Sequence, residues 1–236
     1  MTPSRRGRAA DADAVDVDAV DADAVLGRVA RRYAGGGRFT RRYVAGKLRG
    51  DPVHEAVLRR AGPDGYGDVL DVGCGRGQLG VALLEAGLAR SVLGLDWNPA
   101  PLDAARRAAA GLAFRAESRD VARPTPLPRV DTVLLVDVLY QLAPAAQDGL
   151  LREAARAARG RVLIRTLDPD RGWRSAFTLG LERLGRRVWP NSGAHVAPRP
   201  VPALLDVLAR EGFAATVEPC WRGTPFANVL VVGRRG

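Results

Sequence analysis

The chain is poor in the residues on which most metal and redox chemistry depends: 236 residues include two cysteines and two histidines. Cys74 falls in a glycine-rich stretch and Cys220 in a late strand-like stretch, with no metal-ligand spacing, no H-E-x-x-H and no C-x-x-C. Neither a protein metal site nor a disulfide is expected. Long apolar runs are missing too. Nothing approaches the roughly 18 to 20 residues that span a bilayer, and the arginines of residues 1–10 are not followed by the apolar core of a secretory leader. The expectation is a soluble cytoplasmic protein without a transmembrane segment. Lysine is nearly absent as well, since 35 of the 36 basic residues are arginine and Lys47 is the other. The net charge of +10 brings nucleic acid, an anionic membrane or an acidic carrier protein into view as partners. Arginine spread over most of the chain reads more as compositional bias than as a selected basic face, so nucleic-acid binding is disfavoured.

What is present suffices for one α/β domain and an appendage: 47% of the residues are hydrophobic. Residues 1–25 contain the tract DADAVDVDAVDADAV, whose aspartates suit neither helix nor strand interiors, and are expected to form a disordered acidic tail. Three arginines against six aspartates there leave +13 on the remainder. Residues 26–61 read as cap helices broken at Gly35-Gly36-Gly37, and residues 62–236 as the main domain.

Within that domain, Val69-Leu70-Asp71-Val72-Gly73-Cys74-Gly75-Arg76-Gly77 passes from a strand signal through three alternate glycines into the helical pattern beginning at Leu79. Such a turn lets the backbone take positive φ and approach a ligand while the next helix offers free N–H groups. Asp71 at the strand end would repel a pyrophosphate and suits a cationic or hydrogen-donating ligand. Strands are expected at 92–96, 112–116, 130–137, 161–166, 214–219 and 228–233, with helices at 102–110, 144–158 and 201–210 between them. Asn98-Pro99 reads as a helix N-cap and N1 pair, while Gly160 reads as the stop of the 144–158 helix. This alternation implies a doubly wound, mostly parallel sheet.

Asp71 with its glycine turn, and Leu93-Gly94-Leu95-Asp96 at the end of the next strand, resemble the class I S-adenosylmethionine-dependent methyltransferases of small-molecule type, over roughly residues 60–236. The resemblance implies a Rossmann-like sheet of seven strands with an antiparallel last strand, N-terminal cap helices, and S-adenosylmethionine as cofactor. It implies a cofactor site of Asp71, Gly73, Cys74, Gly75, Gly77, Asp96, Trp97, Asp120, Val121 and Asp137. In it, Asp96 meets the ribose hydroxyls and Trp97 either walls the adenine or simply packs. Asp120 and Val121 meet the adenine edge, with Glu117 as the alternative acid. Asp96 would serve an NAD ribose equally well.

The acceptor is read from what surrounds these motifs. Absence of an Asp/Asn-Pro-Pro-Tyr motif after Val136, and Pro219-Cys220 on the wrong strand, disfavour action on DNA bases. The insertion at about 167–200, rich in Trp and Leu, is where such enzymes usually build acceptor specificity. It points to a small apolar or aromatic acceptor, carrier-bound or lipid-like among the options, methylated on oxygen in bacterial secondary or lipid-like metabolism. Gly46-Lys47-Leu48-Arg49-Gly50-Asp51-Pro52-Val53 is similar to a segment of bacterial methyltransferases from lipid and aryl-polyene type pathways. His195 is the candidate base and Tyr140 the candidate orienter of the acceptor, each competing with a plain structural role. Tyr33, Phe39, Tyr43 and Lys47 are lid candidates by resemblance, whereas His54 reads as structural or solvated. A basic amphipathic helix pair here also suits peripheral contact with an anionic membrane or an acyl carrier. Two alternatives stay open: a noncatalytic S-adenosylmethionine or S-adenosylhomocysteine binder, and a nicotinamide-dependent oxidoreductase.

Overall fold

The computed structural model describes residues 20–123, 125–188 and 196–236, with 182–188 described by backbone alone. Three helices precede the sheet. α1 (Ala22–Arg32) starts where the Asp21 carboxylate accepts the Ala24 N–H at 2.9 Å, and it buries Ala22, Val25 and Val29 along one stripe. The helix therefore begins inside the tract read as an unstructured tail, because Val25 belongs to a packed face. Beyond the Gly35–Gly37 break come α2 (Arg38–Gly50), which buries Val44 and Leu48, and α3 (Val53–Arg59).

The sheet follows as β1 (Asp68–Val72), β2 (Ser91–Asp96), β3 (Phe114–Ser118), β4 (Val130–Val136), β5 (Ala158–Leu167), β6 (Phe213–Pro219) and β7 (Asn228–Arg235). Between them run α4 (Gln78–Glu85), α5 (Pro99–Ala108), α6 (Pro144–Ala157), α7 (Trp173–Val188) and α8 (Val201–Arg210). Strand order is β3-β2-β1-β4-β5-β7-β6, with β7 antiparallel to both its neighbours and the other pairs parallel. This is the expected doubly wound seven-stranded fold. The order reverses between β1 and β4, and the carboxyl ends of those strands leave a crevice there.

Alternation along the strands divides the core between the two faces. Leu134, Leu163, Leu230 and Val232 pack with the cap helices and α4, while Val133, Leu135, Val162, Ile164, Val229 and Val231 pack with α6 and α8. Asn98 caps α5, accepting from Ala100 N–H at 3.1 Å with Pro99 in the first turn. Several expected boundaries move, two of them for reasons visible in the packing. β3 begins at Phe114 instead of Leu112, since residues 109–112 are spent on the helix exit, where Gly111 has φ +80° and Leu112 N–H meets Ala109 O at 2.9 Å. Gly160 does not stop α6; the helix ends at Ala157, and Gly160 lies inside β5, which already pairs Ala158 with Val130.

The cap is tied to the sheet by charge as well as packing. Glu85 at the end of α4 takes Arg28 (3.2 Å) and Arg32 from α1, and the Tyr33 hydroxyl donates to the Arg76 carbonyl at 2.6 Å. Tyr33 is thus a buried brace of the glycine turn and not a lid.

Gly77 opens α4 at φ +72°, and a Cβ there would stand 2.9 Å from both Ala105 and Phe114 side-chain atoms. Gly77→Ala is expected to lower stability by about 2–4 kcal/mol, from left-handed strain plus overpacking. Gly87→Ala has comparable φ but open space around its Cβ, so it is expected to lose only about 1–2 kcal/mol. Urea titration of both variants checks the difference, and equal losses would remove the packing argument.

Candidate active site at the carboxyl edge of the sheet

The glycine turn is seated on β2. Gly73 and Cys74 N–H both donate to Leu95 O, at 2.7 and 3.0 Å, so pairing between β1 and β2 continues one step past the strand end. The three glycines serve separate purposes. A Cβ on Gly73 would strike Val138 at 2.9 Å, Gly77 is enclosed as described, and Gly75 has nothing within 4 Å of its Cβ position, which opens on the cleft. Cys74 turns its sulfur down onto Gly94, whose own Cβ would meet it at 2.7 Å, and burial raises the thiol's pKa. What Cys74 offers a ligand is therefore backbone.

Asp71 and Asp96 stand on either side of this turn. The Asp96 carboxylate accepts Gly75 N–H and Asn98 N–H, each at 2.9 Å, so it shapes the turn as well as facing the cleft. Asp71 is 3% exposed. Burial, and then the charge of Asp96, push its carboxyl up to about 7. Two carboxyls with little cationic compensation make this end of the cleft a receptor for positive charge and hydroxyl donors.

The cleft holds about 1080 Å³. Trp97, Asp120 and Val121 line it, whereas Glu117 lies within β3 and does not. Tyr140 sits in a short 3₁₀ turn, Leu139–Gln141, buried at the wall. His195 lies outside the described residues. Of the lid candidates, Tyr43 and Lys47 reach the cleft; Phe39 stacks on Tyr43 with ring centroids 6.1 Å apart.

The sequence reading missed the charge network at the far wall. Arg165 on β5, 4% exposed, pairs with Asp137 just beyond β4 and with Asp51 between α2 and α3 (3.1 Å). Lys47 Nζ stands 2.9 Å from Asp51 and 4.0 Å from Asp137. Asp137, placed among the cofactor residues by resemblance, has its carboxylate engaged by Arg165, and it is held at φ +58°, a strained conformation for a non-glycine residue. Burial raises its pKa despite Arg165, while Asp51 stays below the usual carboxylate range because Arg165 and Lys47 outweigh its burial. His54 is buried against the Asp51 carbonyl (3.3 Å), with its pKa pushed down to about 4, chiefly by burial. The one signal available was Asp51-Pro52 at a helix break; nothing local marks Arg165, one of 35 arginines. Among the described residues, no group of three or more His, Cys, Asp or Glu is placed to hold a metal ion.

The family model described as "Methyltransferase domain" matches residues 69–160, from β1 into β5. This segment is similar to that family. Solved structures share the fold. An O-methyltransferase family protein from Burkholderia thailandensis matches with TM-score 0.62 at 20% identity, covering 92% of this chain and 68% of that one. Magnesium protoporphyrin IX methyltransferase from Synechocystis, with bound S-adenosylhomocysteine, gives 0.59 at 19% identity, covering 89% and 94%. An N-methyltransferase from Bradyrhizobium japonicum, also with S-adenosylhomocysteine, gives 0.57 at 15%, covering 89% and 98%. The cofactor of the methyltransferase family is S-adenosylmethionine. The donor set here fits it, with two carboxylates for a cationic nucleoside and an open Gly75 face along which its chain can run.

A carboxyl whose folded pKa exceeds its unfolded value holds its proton longer in the native state. The ligand-free protein is accordingly expected to lose stability as pH rises from about 4 to about 7, with no further Asp71 contribution above that. Denaturant titrations across this range should show the slope in the native chain and its flattening in Asp71→Asn. An unchanged slope in the variant would assign the effect elsewhere.

Proposed function

We propose that this protein transfers the methyl group of S-adenosylmethionine to an oxygen of a small apolar or aromatic acceptor, as a cytoplasmic step of bacterial metabolism. The observation carrying the proposal is one cleft whose lining holds both the glycine turn with Asp71 and Asp96 and the apolar side chains Val53, Leu142, Leu181 and Phe226. S-adenosylmethionine, when bound, supplies a methyl activated on a sulfonium. The protein's contribution is to align, desolvate and move a proton.

In this reading Asp71 and Asp96 hold the cationic and ribose parts of the cofactor, with Trp97, Asp120 and Val121 around its base. The apolar wall removes water from the acceptor and so raises the reactivity of its oxygen. Tyr140 orients the acceptor, and His195 takes the hydroxyl proton. His54, which lines the cleft, is a poor alternative, since a pKa of about 4 leaves it a weak base at neutral pH.

The test is incubation of the full chain with S-adenosylmethionine and a panel of phenols, hydroxyaryl acids and acyl substrates, read by mass spectrometry for addition of one CH₂. Stabilisation by S-adenosylmethionine with no product from any acceptor would favour a binder without catalysis, and stabilisation by NAD alone would defeat the reading. Asp96→Ala removes a charged acceptor and is expected to weaken cofactor binding by about tenfold to a hundredfold, about 1.5–3 kcal/mol. Calorimetric titration measures it, and unchanged affinity would take Asp96 out of the site.

A further inference from the structure

Among the described residues, six large apolar side chains stand exposed: Phe39, Tyr43, Trp97, Trp173, Phe177 and Leu181. All six gather at the mouth of one cleft. Tyr43, Trp97 and Leu181 line it; Phe39 stacks on Tyr43; Phe177 lies 6.4 Å from the ring of Phe226, itself a lining residue. Trp173 precedes Phe177 by one turn on the same stripe of α7, with spacing 173, 177, 181. Exposed apolar residues scattered singly are ordinary, but a set collected on both banks of one opening marks a contact surface.

The flank of α2 next to this rim is basic. Residues 38–50 contain no acid, and Arg38, Arg41, Arg42 and Arg49 stand exposed around Ala45, bounding a shallow hollow of about 470 Å³. None of the four has a carboxylate within 4.0 Å among the described residues. Helical spacing sorts α2 into three flanks: Phe39, Tyr43 and Lys47 toward the cleft, Val44 and Leu48 into the core, and the arginines outward. Cations also sit on the rim's aromatic faces, with Arg76 4.5 Å from the Tyr43 ring and Arg174 4.9 Å from that of Trp173.

We propose that this rim is a docking face for an anionic lipid surface, on which the cleft mouth lies against the bilayer. Trp and Phe side chains enter the interfacial zone while the α2 arginines meet headgroup phosphates, a division that matches amphipathic membrane-surface helices. Two features favour a lipid phase over an acidic carrier protein. The apolar groups come from three separate elements, α2, α7 and the end of β2, and Phe39 and Trp173 project with 64% and 66% of their surface free, so one deformable apolar partner covers them best. No described helix is long and apolar enough to cross a membrane, so the contact is peripheral. That the acceptor enters from the lipid rests on the methyl-transfer reading; the docking itself does not.

Flotation of the full chain, without cofactor, on phosphatidylglycerol–phosphatidylcholine vesicles and on phosphatidylcholine alone tests the proposal. The chain is expected to float with the anionic vesicles and be released by high salt. Arg38→Gln/Arg41→Gln/Arg42→Gln/Arg49→Gln and, separately, Trp173→Ser/Phe177→Ser should each cut partitioning by about tenfold or more, with melting temperature and S-adenosylmethionine binding kept. Equal binding to neutral vesicles, no binding at all, or titratable binding to an acidic acyl carrier protein without flotation would overturn it. Failure of the methyltransferase reading would show instead as loss of cofactor binding with flotation intact.

Discussion

Two carboxyl groups, Asp71 and Asp96, are held beside a backbone turn that offers them almost no positive charge. Their position is imposed by strand pairing. Asp71 lies opposite Gly94 and Val72 opposite Leu95, and the Leu95 carbonyl then accepts two N–H groups of the glycine turn. The sheet thereby delivers both acids to one edge and leaves them to be satisfied by donors of the turn, by a proton on Asp71, or by a ligand. Burial makes ionisation of Asp71 costly in the empty protein, and a cation against it recovers that cost. Such an arrangement favours a cation over a pyrophosphate.

The opposite wall solves a different problem. Asp51, Asp137, Lys47 and Arg165 are mutually compensated, two acids against two bases, so this region contributes shape without a net charge of its own. It also joins three parts of the chain, since Asp51 and Lys47 come from the cap, Asp137 from the end of β4 and Arg165 from β5. A buried network of this kind adds less stability than its Coulomb attraction suggests, because each ion first loses its hydration. Its structural consequence is registration of the cap over the sheet, which places Tyr43 and Lys47 at the cleft. The strained backbone at Asp137 is maintained by that same pairing and by donation of its N–H to the Arg165 carbonyl (3.1 Å).

Cap, insertion and sheet together produce an opening beside which six large apolar side chains stand exposed. Phe39 and Tyr43 come from α2, Trp173, Phe177 and Leu181 from α7, and Trp97 from the end of β2. These segments are far apart in the chain, yet the carboxyl edge of the sheet brings them together. The cleft and the exposed apolar side chains around it therefore share one end of the molecule.

The alternating pattern of apolar runs, glycines and caps was enough to determine the doubly wound sheet, the glycine turn and its two acids, since each of these is written in residues close together along the chain. Asn98-Pro99 starting α5 and the break at Gly35–Gly37 are local in the same sense. Where several local outcomes were nearly equal, packing chose: β3 begins two residues late because the α5 exit uses residues 109–112, Gly160 joins β5 because β4 offers it partners, and Val25 enters a helix because a core awaits it. Tyr33 as a brace, Arg165 between two acids, and six exposed apolar side chains at one mouth were decided only by tertiary structure. Each depends on residues tens of positions apart meeting in space, and the free energy of such a meeting has no signature in the sequence around either partner.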